Sequence, residues 1–222
     1  MESSPAGRSG AAKQERAVRT RATILRAAAE VFDEVGFSAA SIRLISKHAG
    51  VTLGALYFHF SSKEELAREV MLSQGDGLTF PDGPDGLQRL IDITVYLAEQ
   101  LRTDPMLRGG VRLAVEQGAF DMREEQPYQQ WVDVFRAQLA VAEAAGELSG
   151  NADVDSLAWL VVATFSGTQL LSQVTTDRRD LSERVHTLWT CLLPGVASDK
   201  VRGSLVIGGP ARPAADGREG TA

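Results

Sequence analysis

Residues 20–66 decide the fold, and they read TRATILRAAAEVFDEVGFSAASIRLISKHAGVTLGALYFHFSSKEEL. Between Ile24 and Val35 the apolar residues recur at intervals of three and four, which is typical of one face of a helix. We expect this helix to begin near Val18 and to end at Gly36, because a glycine followed by an apolar residue is a common helix stop. The stretch therefore opens with an amphipathic helix.

Three shorter helices are expected after the first. Ser41 and Thr52 can each cap a helix, since a hydroxyl oxygen accepts hydrogen bonds from free backbone N–H groups of the first turn. Gly50 ends the second helix with a tight turn, and Ser62 with Glu65 forms a capping box for the fourth. Two short helices joined by such a turn predict a helix-turn-helix, whose later helix enters the major groove of DNA.

The rest of the chain also has the pattern of an all-α protein. The segment QGDGLTFPDGPDG at 74–86 is too rich in Gly, Pro and Asp for a helix or a strand. Apolar positions at helical spacing return beyond it, and a last capping box at Asp180 and Glu183 begins a helix that Pro194 is expected to stop. We expect a basic disordered tail at 1–16, a helix-turn-helix domain at 17–73, a loop at 74–86, a helical ligand-binding and dimerisation domain at 87–207, and a disordered tail at 208–222.

Charge is distributed unevenly along the chain. Residues 8–63 hold nine basic and four acidic residues, which gives this segment a net charge of +5. Because the whole chain has a net charge of −6, the remaining residues together carry −11. A basic head suits DNA phosphates, and an acidic body faces away from them. We therefore expect double-stranded DNA as a partner despite the acidic total.

Several function classes are excluded by what the sequence lacks. There is no stretch of 18 apolar residues and no secretory signal pattern, which predicts a cytoplasmic protein with no membrane partner. No phosphate loop, nucleophile elbow or paired carboxylates suggest an enzyme, and neither a cofactor nor a metal is expected. The one cysteine, Cys191, is interpreted as a small buried side chain.

The third helix presents the candidate base and phosphate contacts. A helix this short offers only a few outward side chains. Phe58 and Phe60 are interpreted as core aromatics. The candidates on this helix and the one before it are Arg43, Leu53, Ala55, Tyr57 and His59.

The motifs R-x-x-I-L-x-A-A-x-x-x-F, G-F, A-G-V-T-x-G-A-L-Y-x-H-F and S-K-E-E-L occur in order within 20–66, and together they closely resemble the DNA-binding domain of the TetR family. The resemblance implies that Tyr57 and Lys63 contact phosphate, that Thr52 caps the recognition helix, and that Gly54 lets it approach DNA. Leu53 departs from the lysine common in the family. It cannot neutralise a phosphate but can touch a thymine methyl.

The C-terminal half carries weaker motifs that resemble the γ-butyrolactone receptors of actinomycete antibiotic control. They are L-R-x-G-V-R-L-A at 107–114, P-Y-x-x-W at 127–131 and F-S-G-T-Q-L-L-S-Q at 165–173. The resemblance implies a pocket lined by Trp131 for a butyrolactone, butenolide or furan inducer. Gln130 and Thr164 are the expected polar partners of that ligand, although Thr164 can instead bond to its own helix.

A palindromic operator requires two recognition helices, so we expect a homodimer built from the helices near 154–174 and 181–193. Together the observations predict a ligand-responsive repressor that controls antibiotic biosynthesis. Two other functions remain open. One is a DNA-binding regulator that does not respond to such hormones, and the other is a protein-interaction module with a vestigial helix-turn-helix.

Overall fold

The structure is a computed structural model that describes residues 5–80, 82–150 and 152–208, with side chains from residue 14 onward in those ranges. The expected all-α architecture is confirmed. Within the described ranges the only β pairing is an isolated bridge between Leu148 and Ala197. The helices are α1 (Pro5–Ala39), α2 (Ile42–His48), α3 (Leu53–His59), α4 (Lys63–Leu72), α5 (Leu87–Thr103), α6 (Pro105–Glu116), α7 (Gln126–Ala144), α8 (Val154–Thr176), α9 (Leu181–Val196) and α10 (Asp199–Arg202), with one 3-10 turn at Gln117–Phe120.

The first helix is longer than its apolar pattern predicts. α1 begins at Pro5 rather than near Val18, so part of the tail expected at 1–16 is helical. The expectations for residues 1–4 and 209–222 lie outside the described residues. The predicted stop at Gly36 is a kink within α1, since this residue has a non-helical φ of 75° that a side chain with a Cβ rarely adopts, but helix continues beyond it to Ala39. A Cβ there would also lie 2.7 Å from the Arg112 guanidinium.

The predicted caps of the three short helices are confirmed. The Ser41 hydroxyl accepts from the Leu44 N–H, and the Thr52 hydroxyl accepts from the Ala55 N–H at 3.1 Å. Ser62 accepts from the Glu65 N–H in the same way. These bonds satisfy donors that a helix start otherwise leaves free, so each helix begins where its hydroxyl residue stands.

The chain divides into two compact units that differ from the predicted domains. The first contains Met1–Gly77 and Asp104–Pro127, and the second contains Leu78–Thr103 and Tyr128–Ala222. The boundary near 77 agrees with the expected loop. Helix α6, however, belongs to the first unit, whereas the sequence placed it in the domain at 87–207. The linear division of the chain therefore does not describe the packing.

Two glycines explain why α6 packs in the first unit. A Cβ on Gly109 would lie 2.4 Å from the Ala29 carbonyl oxygen, and a Cβ on Gly110 would lie 2.5 Å from the Gln74 Cβ. Without side chains, α6 approaches the backbones of α1 and α4 directly. Arg108 adds an ion pair to Asp33 at 2.7 Å. The sequence pattern gave no sign that this glycine pair is a packing surface.

The core of the second unit contains buried side chains of α5, α7, α8 and α9. Trp189 is buried on α9, and its indole N–H donates to the Thr94 hydroxyl of α5 at 2.7 Å. The Thr94 hydroxyl in turn donates to the Ile91 carbonyl, so the polar atoms of this contact are satisfied. Trp189 is therefore a core residue of the second unit.

Helix α9 differs from its prediction at both ends. The Asp180 side chain makes no capping bond; it accepts from the Ser172 and Thr176 hydroxyls of α8, with an ion pair to Arg184, and these contacts lower its pKa to about 2. Pro194 lies inside the helix, which continues to Val196. The proline falls in the last turn, where the helix has little further to run.

Helix α8 exposes much of its apolar surface in the single chain. Trp159 is 66% exposed, and Leu160, Leu170, Leu171 and Val174 are also exposed. By length and composition alone, α8 is the one helix of the described ranges that could cross a membrane.

Cys191 on α9 is exposed, so its interpretation as a buried side chain is wrong. The apolar pattern of α9 did not reveal which of its positions face inward.

The close approach of α6 to α1 gives a stability prediction. Gly109→Ala should lower the free energy of unfolding by about 1–3 kcal/mol or more, because a backbone oxygen occupies the new Cβ position. Elsewhere in a helix the same change stabilises by up to about 1 kcal/mol. Gly54→Ala is the matched control, since it is a helical glycine of the same unit with nothing within 4 Å. Equal melting curves for the two variants would contradict the proposed contact.

Candidate nucleic-acid interface and sensor residues

Helix α3 is held by one face and exposes the other. Leu56 is buried on α3 and Phe60 is buried directly after it, so both anchor the helix in the first unit. Thr52, Leu53 and Gly54 are exposed at its start. The exposed face has the form of a recognition helix, which must present side chains beyond the protein surface.

The two aromatic residues in the middle of α3 point outward. Tyr57 is 53% exposed, as a phosphate contact requires. Phe58 is 80% exposed, so its interpretation as a core residue is wrong, whereas the same interpretation of Phe60 is confirmed. Phe58 follows Gly54 by four residues and therefore lies on the outward face. This spacing was the signal that sequence reasoning missed.

The remaining candidates on α2 and α3 lie close to this surface. Arg43 is exposed on α2. Ala55 and His59 are half-buried on α3, and the His59 ring meets the Phe58 ring edge to face with centroids 5.1 Å apart. The imidazole thus supports the exposed phenyl ring rather than extending freely from the helix end.

Lys63 makes intramolecular contacts that the sequence did not predict. Its ammonium donates to the Phe37 and Ala40 carbonyl oxygens, at 2.9 and 3.0 Å. The same ammonium lies 4.0 Å from the centroid of the Phe37 ring, within cation–π distance. Lys63 therefore joins the first turn of α4 to the end of α1, and two of its three donors are occupied.

Two backbone donors near the start of α4, the Ser61 and Glu65 N–H groups, are already bonded to side chains. The Glu65 carboxylate accepts from the Ser61 N–H and hydroxyl, and these bonds lower the pKa of Glu65. The Glu65 N–H is itself bonded to Ser62. A carboxylate and a hydroxyl thus occupy donors that a phosphate would need.

Of the predicted sensor residues, Trp131 has the most suitable setting. It is half-buried on α7 in the second unit, and its ring is tilted against the buried Phe135 with centroids 6.4 Å apart. An indole in this state has one apolar face supported and part of its surface free. Gln130, its chain neighbour, is exposed to solvent.

Thr164 on α8 does not need a ligand to satisfy its hydroxyl. The hydroxyl donates to the Leu160 carbonyl at 2.7 Å, which is the bond back to its own helix. Of the two alternatives that the sequence leaves open for this hydroxyl, the structure shows the bond to its own helix. Tyr128 is a polar residue that the sequence analysis missed. It lies one helical turn before Trp131, and partial burial raises its pKa.

Both units match known families. Residues 24–70 match the tetR family of bacterial regulatory proteins, and residues 85–198 match the tetracyclin repressor-like C-terminal domain. The second match begins beyond the loop after α4. It includes α6, which the packing places in the first unit.

Individual relatives cover most of the chain. The A-factor receptor protein of Streptomyces griseus is 38% identical over 94% of this chain and 75% of its own length. The crystal structure of TylP, a TetR regulator of Streptomyces fradiae, is 45% identical, covers 87% of this chain and 93% of that one, and has a TM-score of 0.79. A γ-butyrolactone receptor structure, described as ArpA-like, is 32% identical over 86% of this chain and 94% of that one, with a TM-score of 0.67. Two family models match this chain, and the A-factor receptor protein is similar to it over 94% of the chain's length. This chain therefore belongs to the TetR family of bacterial regulatory proteins.

Proposed function

We propose that this protein is a dimeric repressor that binds a palindromic operator and is released by a small molecule of the butyrolactone, butenolide or furan type. The observation that carries the ligand class is the similarity to the A-factor receptor over 94% of the chain. Control of antibiotic biosynthesis is what the resemblance to such receptors implies. The test is a gel shift with a selected operator duplex and a panel of these three ligand classes.

The DNA-binding half of the proposal rests on the outward face of α3. Thr52 fixes the start of this helix, and Gly54 leaves its backbone open to an approaching surface. Tyr57 and Arg43 are exposed and carry groups that donate to phosphate oxygens. We retain Tyr57 as a phosphate contact and assign Arg43 to phosphate as well. Leu53, Ala55 and His59 remain the candidates for contacts within the groove.

Release by a ligand requires two states of the dimer with different ligand affinities. A ligand that binds both states with equal affinity does not change their relative populations. We propose that ligand binding favours the state in which the spacing of the two recognition helices no longer fits the operator. We propose that this regulator works in the cytoplasm, where its operator DNA is found. The exposed apolar surface of α8 is therefore assigned to contact with a second copy of the chain rather than with a membrane.

We infer that Lys63 acts on DNA binding by positioning rather than by contact. Lys63→Met removes its bonds to the Phe37 carbonyl of α1 and to the Ala40 carbonyl that follows this helix. Hydrogen bonds to charged groups contribute about 1.5–3 kcal/mol, so the melting temperature should fall by several degrees. The dependence of log K on log salt should keep its slope, because no phosphate contact is lost.

Arg43→Met is the matched control for that measurement. Arg43 is exposed, so its loss should leave the melting curve unchanged and reduce the magnitude of the salt slope by about one. If Lys63→Met shows the behaviour expected of Arg43→Met, Lys63 contacts phosphate, and its bonds to α1 are incidental.

The dimer interface is assigned to α8 and α9. Leu171→Glu should dissociate the dimer in sedimentation experiments, because it places a carboxylate in an apolar interface at a cost of several kcal/mol. Leu171 is 60% exposed in the single chain, so the change itself should not disturb the core. Val206→Glu is the control, as Val206 is 58% exposed in the same unit but lies outside both helices. An intact Leu171→Glu dimer would contradict this interface.

Trp131 is the residue we assign to ligand recognition. Trp131→Ala should still fold, dimerise and bind operator, but the ligand that releases the wild type should no longer release it. Trp131→Phe keeps a ring that can pack on Phe135 and loses only the N–H, so it should respond at a higher ligand concentration. Release of Trp131→Ala at the wild-type concentration would show that the indole serves packing alone.

A TetR-type regulator that does not respond to such hormones is the alternative function. Two observations favour it: Gln130 is exposed to solvent, and the Thr164 hydroxyl is bonded to its own helix. Both weaken the case for these residues as ligand contacts, which leaves Trp131 as the best supported of the three. Native mass spectrometry of the purified protein separates the cases, since a co-bound ligand of another class would identify a different sensor. A vestigial helix-turn-helix is opposed by the exposed Tyr57 and Arg43, and failure to bind any duplex would revive it.

A further inference from the structure

The exposed face of α3 is apolar. The helix reads LGALYFH and contains neither a lysine, an arginine nor an acid. Its outward positions are occupied by Leu53, Gly54, Tyr57 and Phe58. Leu53 and Tyr57 are four residues apart, as are Gly54 and Phe58, so the four positions form two adjacent rows on one face. A recognition helix of this composition cannot select bases through charged side chains.

An exposed phenylalanine at this position requires an apolar partner. A soluble protein exposes single apolar residues without consequence, but a contiguous group marks a binding surface. In the major groove the thymine C5-methyl group is the apolar feature of the base edges, while the other edge groups are hydrogen-bond donors and acceptors. Leu53 and the Phe58 ring offer no group that pairs with those donors and acceptors.

We propose that α3 reads thymine methyl groups with Leu53 and Phe58, and that the operator half-sites carry thymines opposite these side chains. This inference rests on the proposed operator-binding function and specifies its chemistry. Phe58 thereby becomes a specificity-determining residue. Affinity comes instead from phosphate contacts by groups such as Arg43, which fix the position of the helix but read no sequence.

Two features of the structure favour close contact at this surface. Gly54 has open space where a Cβ would lie, so the helix backbone can approach the groove beside Phe58. The His59 ring meets the Phe58 ring edge to face, with centroids 5.1 Å apart, so one edge of the phenyl ring is covered while the rest of it stays exposed. A ring with such a neighbour has fewer orientations to lose on binding than one without contacts.

DNA is favoured over a protein partner for this surface. The apolar face belongs to the later helix of a helix-turn-helix whose first helices carry the basic excess of the chain. Arg43 and Lys47 are exposed on α2, the helix that precedes α3. An apolar strip flanked by cations suits a groove with methyl groups at its floor and phosphates along its walls.

The experiment compares thymine with uracil, which differs only by the missing methyl group. The full-length protein is used to select duplexes from two random libraries, one synthesised with thymidine and one with deoxyuridine nucleotides. The best thymidine duplex is then remade with uracil at single positions, and the dissociation constants are measured. We expect a loss of about fourfold for each contacted methyl and about tenfold or more for a pair.

Variants connect the effect to the named side chains. Phe58→Ala and Leu53→Ala should each reduce the thymine preference at one position and leave the other position sensitive. Both residues are exposed, so the melting curves should stay unchanged. Val18→Ala is the control, because Val18 is equally exposed and apolar but lies on α1. Its thymine preference should equal that of the wild type.

Three results would overturn the inference, and they differ from one another. Equal affinity for thymine and uracil duplexes rejects methyl recognition while leaving operator binding intact. A Phe58→Ala variant that weakens both duplexes equally assigns the ring to the sugar-phosphate backbone. Selection of no duplex from either library rejects the operator function together with this inference.

Discussion

The backbone contact between α6 and α1 at Gly109 is the constraint on which the DNA-binding unit depends. Helix α1 is the central element of this unit, since α2, α3, α4 and α6 all pack on it. Its middle is held by α6, and its end is held by the Lys63 ammonium. The position of the recognition helix is therefore set by a helix that is fixed at two points. A chain with a larger residue than glycine at 109 would need a different arrangement of α6.

The same helix gives the chain an unusual connection. α6 belongs to the first unit, but the residues on both sides of it, up to Thr103 and from Tyr128, belong to the second. The two units are thus joined by three crossings of the chain rather than by one linker. Gly109 brings the backbone of α6 against the Ala29 carbonyl of α1, and Arg108 and Arg112 of α6 bond to Asp33 of the same helix. The inserted helix is thus attached to α1 both by close backbone packing and by charged hydrogen bonds.

Local features were predictable from the sequence, and burial was not. The caps at Ser41, Thr52 and Ser62 were identified because a hydroxyl at a helix start acts on donors within three residues. The exposure of Phe58 and Cys191 depends on which other helices cover those positions, and periodicity alone does not specify that. The bonds of Lys63 to the Phe37 and Ala40 carbonyls and those of Asp180 to α8 hydroxyls join segments distant in sequence or on different helices, so residue type and local spacing did not reveal them.

The exposed apolar surfaces of α8 and α3 differ in a way that separates their roles. The α8 surface is aliphatic with one tryptophan, extends over several turns, and has the character of an interface core. The α3 surface is small, is interrupted by Gly54, and adjoins exposed cations. If the α8 surface forms the dimer interface and the α3 surface contacts DNA, the free energy of dimerisation and the free energy of operator binding are linked. Operator binding then depends on protein concentration, because the monomer presents only one recognition helix and loses the gain from two linked contacts.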